Sequence, residues 1–235
     1  MARTDWNPSN THVVILGLGL SDWAEDDNPD WRRHRTLAQV FQRAGVPSAN
    51  VHLWEDREGT AKNIKRKLPS MLENVDEDAL FVFYYAGHGD VDPDEDDEFY
   101  FCHPTEDDDW LYGSELLDMV DEHFNGARAV FFLDCCFSGW IADAVEEYET
   151  EGEWASITSS TGDRESTGNW TFTDCLISAL QGERGIDANH DGTISFDELA
   201  RHVTRQMREV DDQPADMGRT SAFDGGFRWA IARRG

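Results

Sequence analysis

Two short stretches of the chain combine residue types that can do covalent chemistry: YYAGHGD at 84–90 and FFLDCCFSG at 131–139. Each starts as an apolar run and ends in a reactive side chain close to glycine. If the two runs are neighbouring strands of one parallel sheet, His88 and a cysteine emerge at the same edge. There an imidazole can take up the thiol proton and leave a nucleophile. Alternation along an extended segment points residues 135 and 136 to opposite sides, so only one of Cys135 and Cys136 can face His88. For the remaining cysteines, Cys102 and Cys175 included, packing is the expected role, because a free cysteine behaves as a small hydrophobe. No CxxC spacing suggests zinc, and adjacent cysteines are poorly placed to bridge each other.

A second kind of chemistry is suggested by DANHDGTISFDE at 187–198. Asp187, Asn189, Asp191, Gly192, Ser195 and Glu198 fall at positions 1, 3, 5, 6, 9 and 12 of an EF-hand calcium loop, and Thr193 offers its carbonyl from position 7. Oxygen donors at alternate positions with a bidentate Glu suit Ca2+, and Gly192 permits the sharp turn. The competing reading is an ordinary Asp-rich connector, since one such loop lacks a partner hand.

These side chains must be positioned by a scaffold, and the chain alternates short apolar runs with stretches of helical period. The order is a strand at 12–19, a helix at about 31–44, a strand at 51–54 and a helix from about 60. It continues with a strand at 79–87, a helix at 114–124 and a strand at 127–134. After these come a strand at 155–160, helices at 171–181 and 195–207, and a last strand at 226–232. Runs apolar on both faces and separated by helices predict an α/β fold with a largely parallel sheet between helix layers. Ligand chemistry then belongs at the carboxyl ends of the strands. Residues 90–110, acidic and holding a short extra strand, and residues 140–154 read as excursions bordering that edge. No internal repeat or linker-like segment divides the chain, so one domain over 1–235 is expected.

Composition narrows the function classes. With 48 acidic against 20 basic residues the formal charge is -28, and the only lysines are Lys62, Lys65 and Lys67. Such a field repels nucleic acid and anionic lipid, so neither is an expected partner. Acids spread along the whole chain suit hydration in concentrated salt; an ordinary acidic protein with local metal-binding runs is the other reading. The apolar run at 13–20 is too short to span a bilayer, and the expectation is a soluble, cytoplasmic protein with reduced cysteines.

AGHGD followed by DCCFSG resembles the His and Cys motifs of the caspase-like cysteine peptidases, and the metacaspase and prokaryotic branch in particular; the QACRG-type signature of the animal branch is absent. The likeness extends over nearly the whole chain, through ITSSTGDRES and the TFTDCLISAL helix. It implies a caspase-hemoglobinase-type six-stranded sheet sandwiched between helices, with residues 1–139 matching the larger-subunit part and 155–235 the smaller. Within it Cys136 is the nucleophile, His88 the general acid and base, and the amides of Gly89 and Cys136 the oxyanion donors. Cys135 falls at the variable position.

The resemblance also assigns substrate contacts. Asp134 matches a carboxylate of the primary specificity pocket, which pairs with Arg or Lys of a peptide or protein substrate. A second acid is expected from the segment after the first strand, where Asp26, Asp27 and Asp30 are candidates. Arg32 and Arg33 stand near a position that often carries an Asn-Asp pair, and an arginine in the pocket would favour cleavage after Asp instead. Metacaspases that need calcium bind it with acids in the region of Asp92, Asp94, Asp96 and Asp97, although a solvated acidic run reads the same way. Between Gly139 and Gly162 there is no Lys or Arg, so an enzyme cutting after basic residues is expected to act as one uncut chain. A monomer is expected, with a regulatory protein as the one further partner left open. The alternatives to a peptidase are a catalytically silent module of the same fold and a calcium sensor.

Overall fold

Strands that are apolar on both faces need cover on both sides, and the computed structural model, which describes residues 6–19, 32–102 and 110–231, shows how that cover is built. The sheet strands are β1 (Thr11–Gly17), β2 (Val51–Glu55), β3 (Leu80–Ala86), β7 (Arg128–Asp134), β8 (Glu153–Thr158) and β10 (Asp216–Arg219). They lie in the order β10-β8-β7-β3-β1-β2, parallel throughout except for β10, which runs antiparallel to β8.

Alternate residues of the central strands feed two cores. Val13, Ile15, Val82, Tyr84, Val130 and Phe132 pack under α1 (Arg33–Arg43), α5 (Thr171–Leu180) and α6 (Phe196–Asp211). Val14, Leu16, Phe81, Phe83, Phe131 and Leu133 pack under α2 (Ala61–Glu73), α3 (Gly113–His123) and α4 (Gly139–Glu147). Each such side chain contributes about 1.5–3 kcal/mol by leaving water, which is why β1, β3 and β7 carry no polar face. The expected α/β sandwich is the observed one.

Three local expectations are corrected. The sixth sheet strand is β10, not the terminal run: β11 (Arg228–Ile231) pairs instead with β9 (Thr193–Ser195) in a separate two-stranded ribbon. Residues 140–154 do not border the site as an excursion. They form the crossover helix α4, which buries Ile141, Ala142 and Val145, and a short connection into β8. Residues 90–110 hold more than one extra strand, because β4 (Gly89–Asp92), β5 (Glu98–Phe101) and β6 (Leu111–Tyr112) form a small antiparallel sheet of their own.

Candidate active site

The register between β3 and β7 sets the site. Ala86 pairs with Asp134 as the last residue of each strand, so His88 and Cys136 each stand two positions beyond that pair. Both open on one cleft of about 480 Å³ together with Gly87, Asp134 and the segment 165–170 that precedes α5. A wider groove of about 880 Å³ along α6 is lined by Arg201, Arg205 and Arg208 but has neither thiol nor imidazole among its described residues, so the smaller cleft is the candidate site.

The backbone around His88 is held by close approach and by two hydrogen bonds. Its carbonyl accepts from the Tyr85 hydroxyl at 2.5 Å and from the Cys102 N–H at 3.0 Å, while the imidazole stands exposed at the rim beside Gly19. Gly89 passes so near Cys136 that a methyl group on it would come within 2.5 Å of the Cys136 carbonyl oxygen. Only glycine fits there.

The two cysteines face different ways, although both lie in the turn past the end of β7 and not in extended strand. Cys135 points into the core beneath α2, α3 and α4, where burial pushes its thiol well up, whereas Cys136 is half-buried and faces the cleft. Burial also raises the Cys136 thiol and Glu165 and Asp90 add to the rise, while the Ser166 N–H, 3.2 Å from Sγ, pulls the other way. Burial thus favours the neutral thiol over the thiolate at Cys136. Immediately after it Phe137 takes a left-handed backbone (φ 55°), at about 1–2 kcal/mol for an L-residue, and donates its N–H to the Arg164 carbonyl at 2.7 Å.

A serine pair locks this turn. Ser160 Oγ donates to the Cys135 carbonyl at 2.9 Å and accepts the Ser138 N–H, while Ser138 Oγ accepts the Ser160 N–H, both at 3.2 Å, with the two hydroxyls 3.0 Å apart. All of these groups are buried, so their mutual satisfaction fixes where residue 136 stands.

Asp134 is buried beneath the cleft, facing α5. Burial lifts its carboxyl to about 7 in spite of hydrogen bonds from Thr173 and Ser159. Thr173 donates to its Oδ2 at 2.6 Å, and because that uses the only threonine hydroxyl proton, Tyr84 must be the donor in the 2.5 Å contact with Thr173. Opposite stands Trp170, whose indole stacks on the buried His34 ring at 6.0 Å. Arg33 bonds Asp174 and Arg32 lies 3.7 Å from Glu55; neither is among the cleft residues. Asp26, Asp27 and Asp30 lie outside the described residues.

The two calcium candidates use their oxygens internally. In the loop before α6, Asp187 accepts from the N–H groups of Asp191 and Gly192, and Asp191 from the N–H and hydroxyl of Thr193. Glu198 accepts from Ala188 and Asn189 through one oxygen and from the N–H and hydroxyl of Ser195 through the other. Asn189 Oδ1 also takes the Asp191 N–H. Asp92 accepts from the Asp94 N–H and the Tyr112 hydroxyl, and Asp94, Asp96 and Asp97 are exposed at the β4–β5 tip. Among the described residues no three His, Cys, Asp or Glu side chains converge to hold a metal ion. The donors are of the oxygen type that calcium takes, but here their geometry closes loops.

Thr173, Ser160, Ser166 and Gln213 were not singled out by the sequence. For Ser160 a signal existed, since two serines ending a buried strand invite a polar partner.

Comparison with known proteins places the chain in a family. A caspase-domain profile matches residues 34–221, which include both strand ends and the segment facing them. The chain belongs to the caspase-domain peptidase family. It is 28% identical over 184 residues to Metacaspase-4 of Arabidopsis thaliana, a match covering 74% of this chain and 44% of that protein. The family member described here thus spans less than half the length of that curated relative. The fold also superposes on the crystal structure of a Geobacter sulfurreducens protein, with a TM-score of 0.67 at 15% identity, covering 95% of this chain and 100% of that one. Among the described residues of this caspase-domain chain, no helix is long and apolar enough to cross a membrane.

Proposed function

We propose that the protein is a cysteine endopeptidase in which Cys136 attacks the scissile carbonyl and His88 carries the proton. The observation that carries this reading is the matched pair of strand ends: the Ala86–Asp134 register brings imidazole and thiol to one cleft. His88 takes the proton from Sγ as the sulfur–carbon bond forms, and the amides of Gly89 and Cys136 are the donors for the developing oxyanion. The imidazolium then protonates the leaving amine, and water releases the acyl-enzyme.

Arg or Lys is the proposed residue before the cut. The cleft has Asp134 beneath it and no Lys or Arg among the described residues that line it, and the carboxylates of Asp174 and Glu55 engage Arg33 and Arg32. That engagement favours a basic over an acidic substrate residue. The uncut-chain reading gains support from the α4–β8 connection, residues 148–152, where Tyr148 bonds Asp118 and Thr150 bonds Asp121.

A panel of fluorogenic peptides with Arg, Lys or Asp before the leaving group tests the proposal. Cleavage after Arg or Lys by the native protein, lost by at least a thousandfold in Cys136→Ala and His88→Ala, is the expected result. Activity that survives Cys136→Ala, or a preference for Asp, overturns it.

A further inference from the structure

The segment facing Cys136 has no regular structure between β8 and α5, yet it must hold the Ser166 amide on the sulfur. What holds it comes from the far end of the chain. Helix α6 ends at Asp212 in a left-handed conformation (φ 52°), and the next residue, Gln213, returns its N–H to the Met207 carbonyl at 3.1 Å. That locks the Gln213 backbone to the last turn of α6. Its side chain is 4% exposed and reaches the loop with both ends of the amide. Oε1 accepts the Thr167 N–H at 2.7 Å, and Nε2 donates to the Ser159 carbonyl and lies 3.3 Å from Ser166 Oγ. A second link runs in the same direction, from Asn169 Nδ2 to Asp211 Oδ1 at 3.0 Å.

We infer that Gln213 is a positioning residue for the nucleophile, holding the Ser159–Thr167 loop so that the Ser166 N–H stays on the Cys136 sulfur. It touches neither sulfur nor substrate and acts through Ser166. A hydrogen bond to sulfur favours thiolate over thiol, so a loop that drifts away leaves Cys136 harder to ionise. The other titratable groups around Cys136 are His88 beyond β3, Asp90 on β4, Cys102 beyond β5, the neighbouring Cys135, and Glu165 on the loop itself. Of these only Glu165 lies on the segment that Gln213 holds.

The inference rests on Cys136 being the nucleophile, but its test does not require turnover. Iodoacetamide alkylation of Cys136, followed by mass spectrometry between pH 6 and 10, reads thiolate formation whether or not any peptide is cut. Gln213→Met keeps the side-chain volume and removes both ends of the amide. The expected result is a titration moved up by about one pH unit, hence about tenfold slower alkylation at pH 7, with the difference narrowing only as the thiol becomes ionised at the top of the range. An unchanged or lowered titration overturns the inference, whatever the change in Tm. Should that variant fail to fold, Asn169→Ala loosens the same loop from an exposed position. It is expected to slow alkylation at pH 7 by about twofold, and an unchanged profile there overturns the inference equally. Failure of the peptide panel with a moved titration would refute the peptidase reading and leave the Gln213 assignment standing.

Discussion

Thr173 and Asp134 are joined at 2.6 Å in a buried hydrogen bond whose proton comes from the threonine, so Tyr84, Thr173 and Asp134 form a chain with every donor aimed at the carboxylate. Burial still dominates and holds the Asp134 carboxyl at about 7 against an ordinary 3.8. Because the folded value is the higher one, its contribution to stability is full below about pH 4. It declines as pH rises toward 7, by at most about 1.4 kcal/mol per pH unit. Urea unfolding at pH 5 and pH 8 is expected to show this decline in the native protein and a weaker one in Asp134→Asn. Equal declines in both would place the linkage elsewhere. For peptides with Arg before the cut, binding should tighten over the same range as the carboxylate forms, whereas Thr173→Val should push that dependence to higher pH.

Gly89 lies where a side chain would strike the Cys136 carbonyl and the Phe99 ring. Gly89→Ala is therefore expected to displace the nucleophile backbone and lower kcat/KM by at least a hundredfold, with a stability loss of about 1–3 kcal/mol. Near-native activity in this variant would mean the approach is looser than it stands.

Ser160 satisfies two buried backbone groups, the Cys135 carbonyl and the Ser138 N–H. Ser160→Ala should cost about 1–3 kcal/mol, the range for leaving a buried group unpaired, because the Ser138 N–H loses its partner while the Cys135 carbonyl keeps the Ser159 hydroxyl at 3.4 Å; chemical denaturation measures it. Its effect on kcat should exceed that on KM, because the turn holding Cys136 is loosened while the cleft keeps its lining. A change in KM alone would count against that role.

Glu198 caps α6 and closes the preceding loop. Burial pushes its carboxyl up, but hydrogen bonds from Ser195, Asn189 and Ala188 outweigh that and leave it below the ordinary value of 4.5. Stability from this group is thus present above pH 4.5 and lost as the solution is acidified below it. Glu198→Ala is expected to cost about 2–3 kcal/mol in chelator-treated buffer, read as a fall in Tm. If the cost appears only when calcium is added, the loop works as a metal site and not as a self-contained cap.

The sandwich and the shared cleft of His88 and Cys136 were legible because they rest on local signals: apolar runs of strand length that stop just before these two residues. The pleat argued that only one of Cys135 and Cys136 could face His88, and the resemblance to the caspase-like motif pointed to Cys136. What stayed hidden depends on contacts across the chain. β10 reads DMGR, with no apolar run, and is a strand only because β8 offers it an edge. The terminal run is apolar enough for the main sheet but pairs with the short β9. Gln213 and Thr173 are polar residues in ordinary settings, and their meaning appears only when the chain brings them to Ser166 and Asp134. The acids at 187–198 satisfy a ligand spacing, yet the same spacing lets them bond their own backbone, and the pattern alone does not separate the two.

The placement of Gln213 gives the catalytic apparatus an order of completion during synthesis. Imidazole and thiol have both left the ribosome once residue 136 emerges, but the residue that clasps the facing loop follows only after α6. A nascent or truncated chain ending before it would carry both reactive groups without their third wall. If the proposed peptidase reading holds, cleavage would then be withheld until the fold that confines it is nearly whole.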